Sequence, residues 1–238
     1  MKICRYLRGT NASGSYGEVA RTANMHQFLV QDIGAKWEND VLGRIQNLYT
    51  GFTKMPDFSR HHRMDKPVAV RCAPIYLDVF PEMPTDIKPF FAIGTCGLEN
   101  RGGEGKWNTN PLSRETNFTQ IDMFAMDELL NSEKYTYLDL MFGINGLTDE
   151  VIADIRNGDC ILEETISIEK VRLSACPKQD KNHVIAAAEA VYGGKYVVIH
   201  LEPGVTFRHR AREILLQVYS LLHPNLAIRA GYAMYQYP

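Results

Sequence analysis

The chain has 238 residues, 45% apolar and 23% charged, a composition that excludes a disordered or fibrous protein. Twenty-six Lys and Arg face twenty-eight Asp and Glu, for a formal net charge of -2, so no bulk attraction draws the chain to nucleic acid or to an anionic membrane. No window approaches the roughly 18 consecutive apolar residues that span a bilayer.

The opening MKICRYLRGTNASG lacks the apolar centre of a signal peptide, and the chain reads as cytoplasmic with no membrane partner. Cys4, Cys72, Cys96, Cys160 and Cys176 are odd in number and form no CxxC. They read as buried free thiols and not as a disulfide framework or a thiolate zinc site.

Residues 2–7 read as a strand and 9–17 as a Gly/Ser/Asn loop, followed by a helix from Glu18 to about Ile33. A second helix is expected over 36–49, where Trp37, Val41, Ile45 and Leu48 share a face. A polar connection over 50–67 precedes strands at 68–73, 75–80 and 89–96. Residues 97–118 carry few apolar groups and read as a long surface loop. The stretch 120–130 suits helix or strand, and helix is preferred.

Beyond residue 136 the pattern alternates. Strands are expected at 136–144, 160–175, 195–201 and 226–237, the third by its continuous apolar run. Between them lie a helix opened by Thr148-Asp149-Glu150 and closed by Gly158, a helix from His183 ending at Gly193-Gly194, and a helix capped by Thr206. In the last, Phe207, Ala211, Ile214, Leu215, Val218 and Leu222 fall on one face. The fold expected is α+β, a mixed sheet with helices packed on it and a β-α-β-α-β-α-β C-terminal half. It forms one domain over 1–238, with any subdivision near 97–118.

The strong catalytic signatures are missing. Gly105-Lys106 is followed by Trp107, and Asn100 stands where a P-loop needs its first glycine. Neither GxGxxG after a strand nor HExxH occurs, and His200-x-Glu202 has no downstream Pro-Cys-x-x-Cys to complete a deaminase zinc site. No metal site is assigned, and the sequence names no particular cofactor.

Three basic features remain. Arg208, His209, Arg210 and Arg212 crowd the start of the last long helix, where the dipole is already positive. The arrangement needs a negative partner: a phosphate or carboxylate ligand, a carboxylate of this protein or a neighbouring subunit, or solvent. His61 and His62 sit among Arg60, Arg63 and Lys66 in a loop, where an imidazole can transfer a proton or the cluster can be a solvated surface. ENRGGEGKWN, with Arg101, Gly103 and Lys106, offers close backbone approach and charge, or is a plain exposed loop.

Converging over one end of the sheet, these features would bind a phosphorylated or nucleotide-like molecule. Arg208, Arg210, Arg212, Arg101, Gly103 and Lys106 would hold it, and His200 or His62 would move a proton with Glu202 orienting. The rival reading is a non-catalytic assembly protein, a homo-oligomer joined by charged surfaces and by Tyr232, Tyr235 and Tyr237.

Overall fold

The computed structural model describes residues 1, 3–10, 16–24, 69–75, 90–98, 117–125, 130–144, 149–201 and 207–234. The expected helix over 36–49, the connection over 50–67 and most of the loop over 97–118 lie outside them. Six strands form one sheet: β1 (Cys4–Thr10), β2 (Tyr16–Arg21), β3 (Ala69–Ile75), β4 (Phe90–Leu98), β5 (Asn117–Ala125) and β6 (Tyr232–Met234), in the order β2-β1-β5-β4-β3-β6. Every neighbouring pair is antiparallel, so the sheet is not mixed. Five described helices accompany it: α1 (Tyr137–Phe142), α2 (Asp149–Asn157), α3 (Lys181–Tyr192), α4 (Phe207–Ser220) and α5 (Pro224–Ala230).

The expected strands at 68–73 and 89–96 correspond to β3 and β4. The helix expected from Glu18 instead begins as strand: Tyr16–Arg21 pairs with β1, and Thr22 continues alongside, its N–H reaching the Arg5 carbonyl at 2.9 Å. Pairing and the β-favouring Tyr16 and Val19 outweigh the helical composition further on.

The stretch 120–130 is strand to Ala125, not helix. Ile121 and Met123 are buried on one face of β5, and Gln120, Asp122 and Phe124 on the other, so no polar face shows in the sequence. Asp122 is buried because Arg5, opposite it on β1, gives its Nε at 2.5 Å, while Gln120 Nε2 donates to the second carboxylate oxygen at 2.5 Å. Burial pushes the Asp122 carboxyl above the ordinary carboxylate range, and the Arg5 guanidinium and the two hydrogen bonds pull the other way.

The face carrying Ile3, Phe91, Ile93 and Phe124 packs on the helices in one core with Leu140, Met141 and Phe142 of α1, Val184 and Ala187 of α3, Leu216 and Tyr219 of α4, and Ile228 of α5. Leu7 packs with Ile155 of α2 and Leu162.

The C-terminal half departs furthest from the alternation expected. Residues 136–144 hold α1, not a strand. Thr136 caps α1 and Asp139 closes the box by accepting from the Thr136 N–H at 2.9 Å. Residues 160–175 form no long strand: Ile3 N–H reaches the Glu164 carbonyl at 2.8 Å and Ile166 N–H the Met1 carbonyl at 3.0 Å, a short edge contact. Residues 195–201 belong to no sheet, and 226–237 enters as helix α5 before Gly231, at φ 61°, turns the chain into β6. The two helices expected from Thr148 to Gly158 and up to Gly193-Gly194 are present as α2 and α3.

α1 is tied on every side. Its end residue Gly143 admits no Cβ, which would collide with the Glu169 and Asp139 carbonyls. Phe142 stacks on Tyr232 at 4.7 Å and meets Tyr219 edge-on at 5.7 Å. Asp139 also accepts from Val171 N–H at 2.7 Å. Burial alone would raise the Asp139 carboxyl, but the Val171 and Thr136 N–H groups, the Thr136 hydroxyl and Lys170 outweigh it and hold it below the ordinary value. A lowered carboxyl stabilises the fold above its unfolded value of about 3.9 and ceases to as pH falls through its folded value. Asp139→Asn should therefore cost about 2 kcal/mol at pH 7, with the gap to wild type closing below about pH 4, measured by urea unfolding across pH.

Candidate functional site

Gly193 and Gly194 end α3 and reverse the chain. Gly194 sits at φ 69°, a conformation glycine takes without strain, and Lys195 N–H bonds back to the Ala190 carbonyl at 2.9 Å. Residues 196–201 then follow without regular secondary structure and form a cleft with α3 and α4. Along this segment exposure alternates, 103% at Tyr196, 37% at Val197, 75% at Val198 and 39% at Ile199, the period of a strand. A buried strand was expected; this one is exposed because no second strand lies beside it among the described residues, where 196–201 make no hydrogen bond.

The cleft encloses about 890 Å³. Its polar lining comes from Gln179, Asp180, His183, His200 and Arg210, and its apolar lining includes Val184, Ala187, Ile199 and Ile214. Arg210 and Ile214, one helical turn apart on α4, present one face to it. Arg210 Nη2 lies 2.9 Å from Asp180 Oδ1 and 3.2 Å from Oδ2. Asp180 precedes α3 and makes no side-chain cap to its own helix, so its carboxylate is free to serve α4.

The cations at the start of α4 thus have separate destinations. Arg210 meets Asp180, while Arg212 donates to the Phe142 carbonyl at 2.9 Å, at the C-terminal end of α1, where a cation is favoured. His209 lies 3.4 Å from Glu213, both exposed, a pair of little energetic weight. The Arg208 side chain lies outside the described residues, as do His62, Arg101, Gly103, Lys106 and Glu202. Of the residues singled out from sequence, the cleft therefore joins His200 and Arg210.

Gln179, Asp180 and His183 carry no signal in the sequence that marks them as site residues. Asp180 and Arg210 are 30 positions apart, and nothing local to either announces the other; His183 was visible only as the first residue of an expected helix. Tyr232, a candidate for a subunit contact, is partly buried: it stacks on Phe142 and its hydroxyl donates to the Met141 carbonyl at 2.9 Å. Tyr235 and Tyr237 lie outside the described residues. Cys4 is buried as expected, but Cys160 is exposed and Cys176 half-buried.

Among the described residues, no three His, Cys, Asp or Glu side chains gather as metal ligands, and no helix is long and apolar enough to cross a membrane. No protein-family model, curated protein or solved structure matches the chain. Arg212→Met should cost about 1–2 kcal/mol by chemical denaturation, the worth of a charged hydrogen bond. Because Arg212 does not line the cleft, no change in ligand binding is expected.

Proposed function

We propose that this protein binds a small anionic molecule in the cleft between α3, α4 and residues 196–201. The observation that carries the reading is that Arg210 and His200, each singled out from sequence for anion or proton chemistry, line one cavity. Its volume suits a metabolite-sized ligand. Asp180 engages one nitrogen of Arg210, and the guanidinium side chain remains 41% exposed, so it can still donate to a ligand. The phosphorylated or nucleotide-like ligand expected from sequence is one form of this reading. In a catalytic form, His200 would move a proton and Glu202, two residues on, would orient it. The reading treats 1–238 as a single folding unit in a cytoplasmic setting.

A screen of nucleotides, phosphorylated metabolites and organic acids by thermal shift tests it. A true ligand at about 100 times its Kd should add about 2.7 kcal/mol of stability, and Arg210→Gln should abolish the gain. Silence across the panel overturns the reading.

A second reading, assembly into a homo-oligomer, is supported by the exposure of Tyr196 and Val198 on a segment that makes no hydrogen bond among the described residues. Backbone left unpaired in this way can take up a strand, and a second copy can supply it antiparallel, with Val198 facing Val198 across a two-fold axis. Light scattering after size exclusion should then show a concentration-dependent dimer that Val198→Lys reduces to monomer. A monomer at every concentration removes this reading.

A further inference from the structure

Resting on the cleft reading above, we infer that the ligand is a monocarboxylate with an apolar body and not a phosphate ester. The charge lining the cleft decides the class. Arg210 contributes +1 and Asp180 contributes -1, so among the described residues the formal charge of the lining, with histidines counted neutral, sums to zero. A phosphate monoester brings about -1.5 to -2 near pH 7, which Arg210 cannot balance while Asp180 stands beside it. A carboxylate brings a single charge and so leaves the smaller excess for the neutral donors of the lining to meet.

The donor geometry agrees. Both contacts to Asp180 use Nη2, and the Nε and Nη1 hydrogens of Arg210 make no other hydrogen bond among the described residues. Those three N–H donors suit the two oxygens of a planar carboxylate. His183 and His200 on the same lining add ring N–H donors for whatever charge Arg210 leaves unscreened. The binding energy then has to come from the body of the ligand. A carboxylate is little larger than a water molecule, whose share of liquid volume is about 30 Å³, whereas the cleft encloses about 890 Å³. Val184, Ala187, Ile199 and Ile214 line the remainder with apolar surface, against which each buried methylene should strengthen binding roughly fourfold.

The test is calorimetric titration of the full chain with octanoate, octyl phosphate and octanol, which share one tail and differ in head group, with butanoate as the short-chain control. Octanoate should bind at least tenfold more tightly than octyl phosphate, octanol or butanoate. Arg210→Gln should reduce octanoate to the level of octanol. Because that change strips Asp180 of its partner, the paired variant Asp180→Asn/Arg210→Gln is titrated beside it, its helicity checked by circular dichroism, and the same loss is expected. Octyl phosphate binding as tightly as octanoate overturns the carboxylate class while leaving the cleft reading intact. So does failure of octanoate alongside protection by a phosphorylated compound of the wider panel. Octanol matching octanoate, or undiminished octanoate binding by the folded paired variant, overturns the role given to Arg210. Silence from these probes and from the whole panel overturns the cleft reading itself.

Discussion

One carboxylate, that of Asp139, fixes the short helix against which the helical layer and the sheet are both assembled. An isolated six-residue helix is unstable in water, because nucleation fixes several residues before many hydrogen bonds repay it. The capping box with Thr136 and the bond from Val171 supply what length does not, tying the helix start to a segment 32 residues away. Once wound, α1 offers Phe142 to Tyr219 of α4 and Tyr232 of β6, and offers its last carbonyls to Arg212 and the Tyr232 hydroxyl. These partners come from two elements, α4 and β6. Loosening α1 therefore disturbs the packing of α4, and with it the helix that carries Arg210 to the cleft.

The sheet rests on a different constraint. Arg5 and Asp122 face each other across β1 and β5 and are both buried, an arrangement that costs desolvation on each side and is tolerated when the pair is also hydrogen-bonded. Gln120 supplies that further bond. Such a pair is a weak source of stability but a strong penalty on slippage: shifting β1 by one residue against β5 would leave two charges buried without partners. It sets the register of β1 on β5, while on the other side of β5 the ladder with β4 places Phe91 and Phe124 opposite each other at 5.5 Å beneath the helices.

These two constraints also explain what the sequence discloses. The helices α2 and α3 were legible because their stops are chemical: Gly158 at φ 83° and Gly194 at φ 69° occupy conformations that other residues adopt only with strain. β3 and β4 were legible as apolar runs that open after Pro67 and Pro89, although Pro74 does not end β3 but lies within it. β5 was not, because the polar groups at Gln120 and Asp122 mimic a helix's solvent face and only Arg5, more than a hundred positions away, makes them interior. The T-x-x-D signal at Thr136 and Asp139 does announce α1, but Tyr137, Leu138 and Met141 also fit a strand, and a six-residue helix leaves too little periodicity to decide. The continuous apolar run at 195–201 fits a buried strand, but composition alone cannot tell an interior strand from an exposed segment lining a cleft. At the site, His200 and Arg210 were legible as isolated chemistry; Asp180 and His183 became part of it only through the packing of α3 on α4.

The cations gathered at the entrance of α4 make physical sense once their destinations are separated. A helix start disfavours positive charge by a few tenths to about 1 kcal/mol for each exposed group, so cations held there must gain more elsewhere. Arg212 gains it at the opposite pole of another helix dipole, the C-terminal carbonyl of α1. Arg210 gains it from Asp180 beside the start of α3, where an acidic group is itself favoured. Two unfavourable placements on α4 thus become two favourable ones on its neighbours, and both arginines act as cross-links within the helical layer. The two differ in what remains. Arg212 ends on a backbone carbonyl outside the cleft, whereas Arg210 meets its carboxylate through one nitrogen at the lining of a cavity, with the rest of a planar donor group still to be used. An arginine already held by a carboxylate loses less side-chain freedom when a ligand arrives. The pairing that satisfies the fold is therefore also what would orient Arg210 toward an anion.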